Sequence, residues 1–95
     1  MTALVDNAAQ SRYELPLAGG TVFASYRKSG AIVQILHVEA PPALRGTGAA
    51  GRLMQLMMER FAAQNLRAFP VCGYAVSWLR RHPEHGARVA AGPAE

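Results

Sequence analysis

Apolar positions along the chain follow two rhythms. From Arg12 to Glu39 they alternate: "RYELPL" (Arg12 to Leu17) runs up to Gly19-Gly20, "TVFASYR" (Thr21 to Arg27) runs up to Lys28-Ser29-Gly30, and "AIVQILHVE" (Ala31 to Glu39) is the longest β-branched run. Alternating runs separated by turn residues predict a three-strand antiparallel meander. Pro41 and Pro42 end it, since proline has no N–H to give to a ladder. From Gly48 to Gln64 the period lengthens to that of a helix. Ala50, Leu53, Met54, Met57 and Phe61 form one stripe, with Arg52, Gln55, Glu59 and Arg60 largely opposite, and Asn65 marks the end. The methionines on that stripe suit packing of a helix on a sheet. "LRAFPVC" (Leu66 to Cys72) returns as a fourth strand. Strand, helix and strand within this length form a right-handed crossover, so the third and fourth strands are parallel. Pro70 removes a ladder donor inside the fourth strand, which therefore loses its partner partway and diverges from the third. A short helix, Gly73 to His82, is stopped by Pro83.

The expected fold class is α/β (α+β), with one core, because 95 residues suit a single small domain. Residues 12–85 carry the pattern. Residues 1–11 (Met1 to Ser11) lack apolar periodicity, residues 86–95 (Gly86 to Glu95) are rich in small residues, and both read as flexible termini. A single cysteine, Cys72, excludes an internal disulfide and a C-x-x-C metal pair, as expected of a reducing, cytoplasmic setting. No apolar run approaches the roughly 18 residues that span a bilayer, so no membrane partner is expected. The net charge of +4 comes from scattered arginines without a Lys/Arg run or interleaved aromatics. An anionic small ligand accounts for it as well as nucleic acid does, and nucleic acid is not the expected partner. The expected assembly is a monomer or a weak homodimer.

Between the meander and the helix lies "ALRGTGAAGRL", in which Gly46, Gly48 and Gly51 have the spacing G-x-G-x-x-G. A dinucleotide site requires the glycines to follow a strand directly and an acidic residue at the end of the next strand. Here "APPALR" intervenes, and "LRAFPVC" holds no carboxylate. A nucleotide P-loop fails too, since Arg52 and Leu53 stand where the phosphate lysine and the magnesium-binding hydroxyl belong. What survives is a glycine-rich helix start whose free N–H groups and positive dipole end suit an anion. Thr47 can add a hydroxyl and Arg45 a charge. The same letters also describe a helix start with no ligand.

"RGTGAA" (Arg45 to Ala50) matches the R/Q-x-x-G-x-G/A signature of the GNAT superfamily of acetyl-CoA-dependent N-acetyltransferases. "HVEAPPALRGTGAAGRLMQLMMERF" and "PVCGYAVSWLRRHPEH" resemble its short, single-domain branch, whose blocks run H-T-E, P, L-R-G-x-G, P-x-C and R-x-H-P-E. Val38 stands where that branch often has Thr, Gly73 where it often has Pro, and the later sheet strands are missing or truncated. The resemblance covers roughly residues 12 to 85 and implies a minimal GNAT-like fold. It implies acetyl-CoA as cofactor, lying where strands three and four splay, with its pyrophosphate on the amides of Arg45, Gly46, Thr47, Gly48, Ala49 and Ala50. It further implies that a main-chain N–H near Val38 holds the acetyl carbonyl and that the last helix, with Tyr74, Ser77 and Arg80, flanks the pantetheine. The implied activity is direct acetyl transfer to an amine of a small molecule, a protein lysine or an N-terminus. A CoA-binding module without efficient turnover is the alternative.

Acetyl transfer needs a neutral amine, whereas a free lysine has a pKa of about 10.4, so a base must take a proton. Glu39 ends a strand beside the expected cleft and is the candidate base, and His37, on the same side, can relay the proton; a solvated Glu39 and a buried, hydrogen-bonded His37 are the plain alternatives. Cys72 reads as nucleophile, proton donor or apolar wall, and Tyr74 as proton donor or packed ring. His82 and His85 flank Pro83 in an H-x-x-H spacing, for which a helix-ending role at His82 is preferred over a metal site.

Overall fold

The computed structural model describes residues 3–90. Five strands form one sheet in chain order: β1 (Val5–Asn7), β2 (Arg12–Leu17), β3 (Gly20–Ser29), β4 (Ile32–Glu39) and β5 (Arg67–Pro70). The first four are antiparallel neighbours, and β4 pairs with β5 in parallel. Helix α1 (Ala49–Ala63) makes the crossover between β4 and β5, and α2 (Gly73–Arg81) follows β5. The meander and the crossover thus stand where the alternation and the helical stripe place them. No helix among the described residues is long and apolar enough to cross a membrane.

One core holds the layers together. Tyr13, Leu15, Val22, Ala24, Val33, Ile35 and Ala68 project from the sheet onto Leu53, Met54, Met57, Met58 and Phe61 of α1, while Ala75, Trp78 and Leu79 of α2 complete the cluster. The buried stripe of α1 is turned slightly from the expected one: Ala49 and Met58 are buried and Ala50 is only half-buried. The ring of Tyr13 meets Phe61 edge-on at 5.5 Å between centroids. Removing a buried aromatic of this kind costs about 3–5 kcal/mol, so Phe61 is an anchor of the fold.

Part of each end takes up regular structure. Val5–Asn7 pairs with Glu14–Arg12, Leu4 is buried, the Tyr26 hydroxyl donates to Asp6 at 2.7 Å, and Arg60 donates to the Leu4 carbonyl at 3.1 Å. A strand of three residues is too short to show alternation, and these anchors come from residues 20 and 56 positions away. At the other end Pro83–Arg88 forms a 3-10 turn, Val89 bridges Ala68 in parallel, and the Ala90 N–H donates to the Ala68 carbonyl at 2.8 Å. Met1, Thr2 and residues 91–95 of the two expected flexible ends lie outside the described residues.

Two departures from regularity shape the site. The parallel ladder stops at Pro70, opposite Ile35; the N–H groups of Val71 and Cys72 both turn to the Ile35 carbonyl, at 2.9 and 3.3 Å, and β4 continues to Glu39 without β5, paired with β3. This is the divergence that Pro70 implies. The second departure has no sequence signal. Ile35 stands opposite Tyr26 but His37 stands opposite Ser25, so Leu36 is an extra residue, a β-bulge. Above it the alternation reverses. Val38 packs toward the core and His37 and Glu39 face away.

Candidate functional site

The loop after β4 leads into the open end of the sheet. Pro42–Leu44 forms a 3-10 turn that seats Leu44 in the core, after which Gly46 and Gly48 take left-handed conformations, φ 78° and 85°. A side chain in that region is strained, and a Cβ built at either glycine meets nothing within 4 Å. Both glycines therefore serve the backbone path and leave its outer surface open. The N–H groups of Arg45 and Thr47 are bound by the carbonyls of Pro42 and Leu44. Those of Gly46, Gly48 and the first turn of α1 have no acceptor among the described residues, because the first helical bond is Arg52 N–H to Gly48 at 3.0 Å.

Gly51 plays a different part from the other two. A Cβ there would sit 3.3 Å from Trp78 Nε1 and 3.6 Å from the Tyr74 hydroxyl, so its bareness lets α2 lie close to α1. That contact brings Tyr74 to the loop. A groove of about 300 Å³ results, bordered by Ala40, Arg45, Gly48, Ala50, Gly51 and Tyr74. A second groove of about 340 Å³, with Leu17, Ala18, Thr47 and Arg52, lies on the side of the turn between β2 and β3. The first adjoins the splay of β4 and β5 and is the candidate site. Its lining contains Arg45 and no carboxylate, as an anion requires. Arg45 is exposed and donates one N–H to the Ala40 carbonyl at 3.2 Å, which orients it beside the loop. Free amides, open space at two glycines and one guanidinium fit a pyrophosphate such as that of acetyl-CoA.

The other expected residues divide. His37 and Glu39 meet at 3.1 Å, 57% and 53% exposed, on the stretch of β4 that has left β5 but still pairs with β3, and that also holds Val38. The bulge, which reverses the alternation, is why His37 is outside; a buried histidine is not what forms here. Tyr74 is 38% exposed, and burial pushes its phenol above the usual tyrosine range, with Arg81 pulling it back and Cys72 adding to the rise. It remains a proton-bearing hydroxyl at neutral pH. Thr47 differs from expectation, since its hydroxyl donates to the Leu44 carbonyl at 2.5 Å and it borders the other groove. Ser77 accepts a hydrogen bond from Arg81 at 2.5 Å, and neither Ser77 nor Arg80 lines the candidate groove.

Cys72 has a role outside the three considered. It is the N-cap of α2, and its Sγ accepts the Ala75 N–H at 3.4 Å. The side chain thus helps set the start of the helix that carries Tyr74. Cysteine is not among the usual capping residues, so the sequence offered only the approach of Gly73 and a helical pattern as a clue. At the far end His82 closes α2: its N–H reaches Leu79, its Nδ1 lies 2.7 Å from the Trp78 carbonyl, and its ring stacks on Trp78 at 3.7 Å. His85 is held separately, its Nε2 3.0 Å from the Gln55 side-chain oxygen.

Comparison with known proteins agrees with this geometry. A family model described as GCN5-related N-acetyltransferase matches residues 12–89. Curated proteins give no sequence match. Among solved structures, the solution structure of a GCN5-like protein from Staphylococcus aureus superposes with a TM-score of 0.67, covering 98% of this chain and 92% of that one at 13% identity. That likeness concerns the fold. The family match extends from β2 through the bridge at Val89, taking in the splayed strands and the glycine loop, and the chain belongs to the GCN5-related N-acetyltransferase family.

Proposed function

We propose that the chain transfers an acetyl group from acetyl-CoA to an amine, with the glycine loop as cofactor cradle and the open end of β4 as the place of reaction. The observation that carries this reading is the coincidence of two features at one end of the sheet. The unbound amides at Gly46, Gly48 and the first turn of α1 face a groove, and the exposed His37–Glu39 pair lies on β4 beyond its last pair with β5. Acetyl-CoA supplies an activated thioester, so the protein has only to position the amine and manage protons. Gly46, Gly48 and Ala49 to Gly51 offer N–H groups to phosphate oxygens, and Arg45 adds charge. The amine arrives largely as an ammonium ion and must lose its proton. Glu39 accepts that proton, and His37, in contact with it and with water, hands it to solvent. Tyr74 Oη holds a proton at the groove, available to a departing thiolate.

Direct transfer is the favoured route, since the Cys72 sulfur already serves as a cap and a thioester needs no second covalent activation. The test is release of free thiol from acetyl-CoA in the presence of an amine panel. Glu39→Gln is expected to lower kcat by about a hundredfold at pH 7, with the deficit shrinking by about tenfold near pH 10 as free amine becomes abundant. A Glu39→Gln protein with wild-type turnover at neutral pH removes Glu39 from the reaction.

A further inference from the structure

We propose that the acceptor approaches over the sheet face opposite the helices, and that this face selects a monoamine on an apolar body, its ammonium at Glu39 and its hydrocarbon on Phe23. The proposal rests on the acetyl-transfer reading for what happens to the amine, but the amine site stands on its own geometry. Both helices contribute to the single core on the other side of the sheet, while Leu36 and Val71 remain 36% and 50% exposed. Register sets the composition of the uncovered face. Val5, Glu14, Phe23 and Glu39 stand opposite one another across β1 to β4, and the next row is Asn7, Arg12, Ser25 and His37.

The first row places a half-buried aromatic ring between two carboxylates, out of five acidic residues in the described chain. Such a ring presents a negative face to cations. The protein already places one there, for the Arg12 guanidinium lies 4.5 Å from the Phe23 centroid and bonds Glu14 at 2.6 Å. Glu14 is thereby engaged, and Asn7 holds its same oxygen at 3.1 Å. Glu39, on the other flank of the ring, has among the described residues only the exposed contact with His37, a kind of pair that contributes little and yields readily to a competing cation. Glu39 also lies beyond the last pair of β4 with β5, so a nitrogen held there is at the splay.

The neighbours decide the class of amine. Apolar surface comes from Phe23, Leu36 and Val5, and one carboxylate is accessible to a cation. A second ammonium would meet Arg12 on a chain of net charge +4. A neutral hydrocarbon or aromatic body fits this row, and a polyamine does not.

Titration of the full-length protein with 2-phenylethylamine, followed by amide chemical shifts, tests the site without any turnover. The expected shifts map to Val5, Glu14, Phe23 and Glu39, with binding at least tenfold tighter than spermidine or a lysine peptide. Phe23→Ala is expected to weaken binding at least tenfold and Phe23→Leu to restore part of it, with CoA affinity by calorimetry unchanged in both. In the thiol-release assay the Phe23→Ala loss falls on KM for the amine. Shifts on another surface, tighter binding of spermidine or the peptide, or an unaffected folded Phe23→Ala protein overturns the proposal. A wild-type chain that binds phenylethylamine on this row yet binds no CoA supports the amine site and removes the transferase reading.

Discussion

Replacing Gly48 with Asp separates the cradle from the fold. At φ 85° an aspartate is among the side chains that tolerate the left-handed region, and nothing lies within 4 Å of its Cβ, so the apo-protein should lose only about 1–2 kcal/mol. For a domain of this size that is a fall in Tm of roughly 4–16 °C. The carboxylate, however, stands among the free amides of the loop. A phosphate charge taken at about 6 Å, with an effective dielectric constant of about 20, is repelled by about 2.8 kcal/mol, or roughly a hundredfold in Kd. Thermal melting with CoA is the assay. CoA at about 100 times the wild-type Kd stabilises the native protein by about 2.7 kcal/mol, a rise of roughly 11–22 °C. At that concentration Gly48→Asp should gain only about 0.4 kcal/mol, or about 2–3 °C. A folded variant that retains the wild-type rise refutes the assignment of the anion to this loop.

Two further changes test the positions of α2 and β1. Cys72→Ser keeps a capping oxygen and should leave stability and turnover close to wild type, whereas Cys72→Ala should lose about 1 kcal/mol while still turning over; loss of all thiol release in both would instead make the sulfur a nucleophile. Tyr26→Phe removes the bond to Asp6 and should lower stability by about 1 kcal/mol and speed amide exchange in β1. Burial, then the Asp6 hydrogen bond and charge, raise the Tyr26 pKa. Its contribution is therefore complete below the ordinary tyrosine pKa of about 10 and is lost as pH rises beyond that. Melting curves above pH 10 should fall less steeply for the variant, and identical slopes would detach Tyr26 from alkaline unfolding.

What the sequence made legible follows from the range of each signal. The strands β2 to β4 and helix α1 repeat their period over six residues or more, and Pro70 announces the splay because the missing donor is a property of the residue itself. The glycine motif was legible as a helix start but not in its division of labour. Gly46 and Gly48 serve the loop, while Gly51 serves Trp78, a residue 27 positions away that spacing alone does not bring near. Thr47 illustrates the same limit: its type suits a ligand, but a carbonyl three residues back accepts its hydrogen bond. The cap at Cys72 was hidden because a thiol is read for its reactivity before its hydrogen bonding. Strand β1 was missed for want of length, and its anchors lie on β3 and α1.

The bulge at Leu36 makes β4 two strands in one as far as inheritance is concerned. Below it, Val33 and Ile35 answer to the helices; above it, odd-numbered His37 and Glu39 answer to the solvent side, and a strictly alternating strand would aim both of them at the core. Straightening the strand while Leu36 stays would exchange the faces of everything that follows it, setting a histidine and a glutamate against the hydrophobic layer and Val38 against water, whereas loss of the single codon for Leu36 would remove the bulge and leave those faces as they are. Point substitutions at 37 and 39 are free to remodel chemistry with little penalty in folding, whereas a polar residue at 38 is not. Lineages of this fold should accordingly vary in the letters at 37 and 39 more readily than in those at 33, 35 and 38.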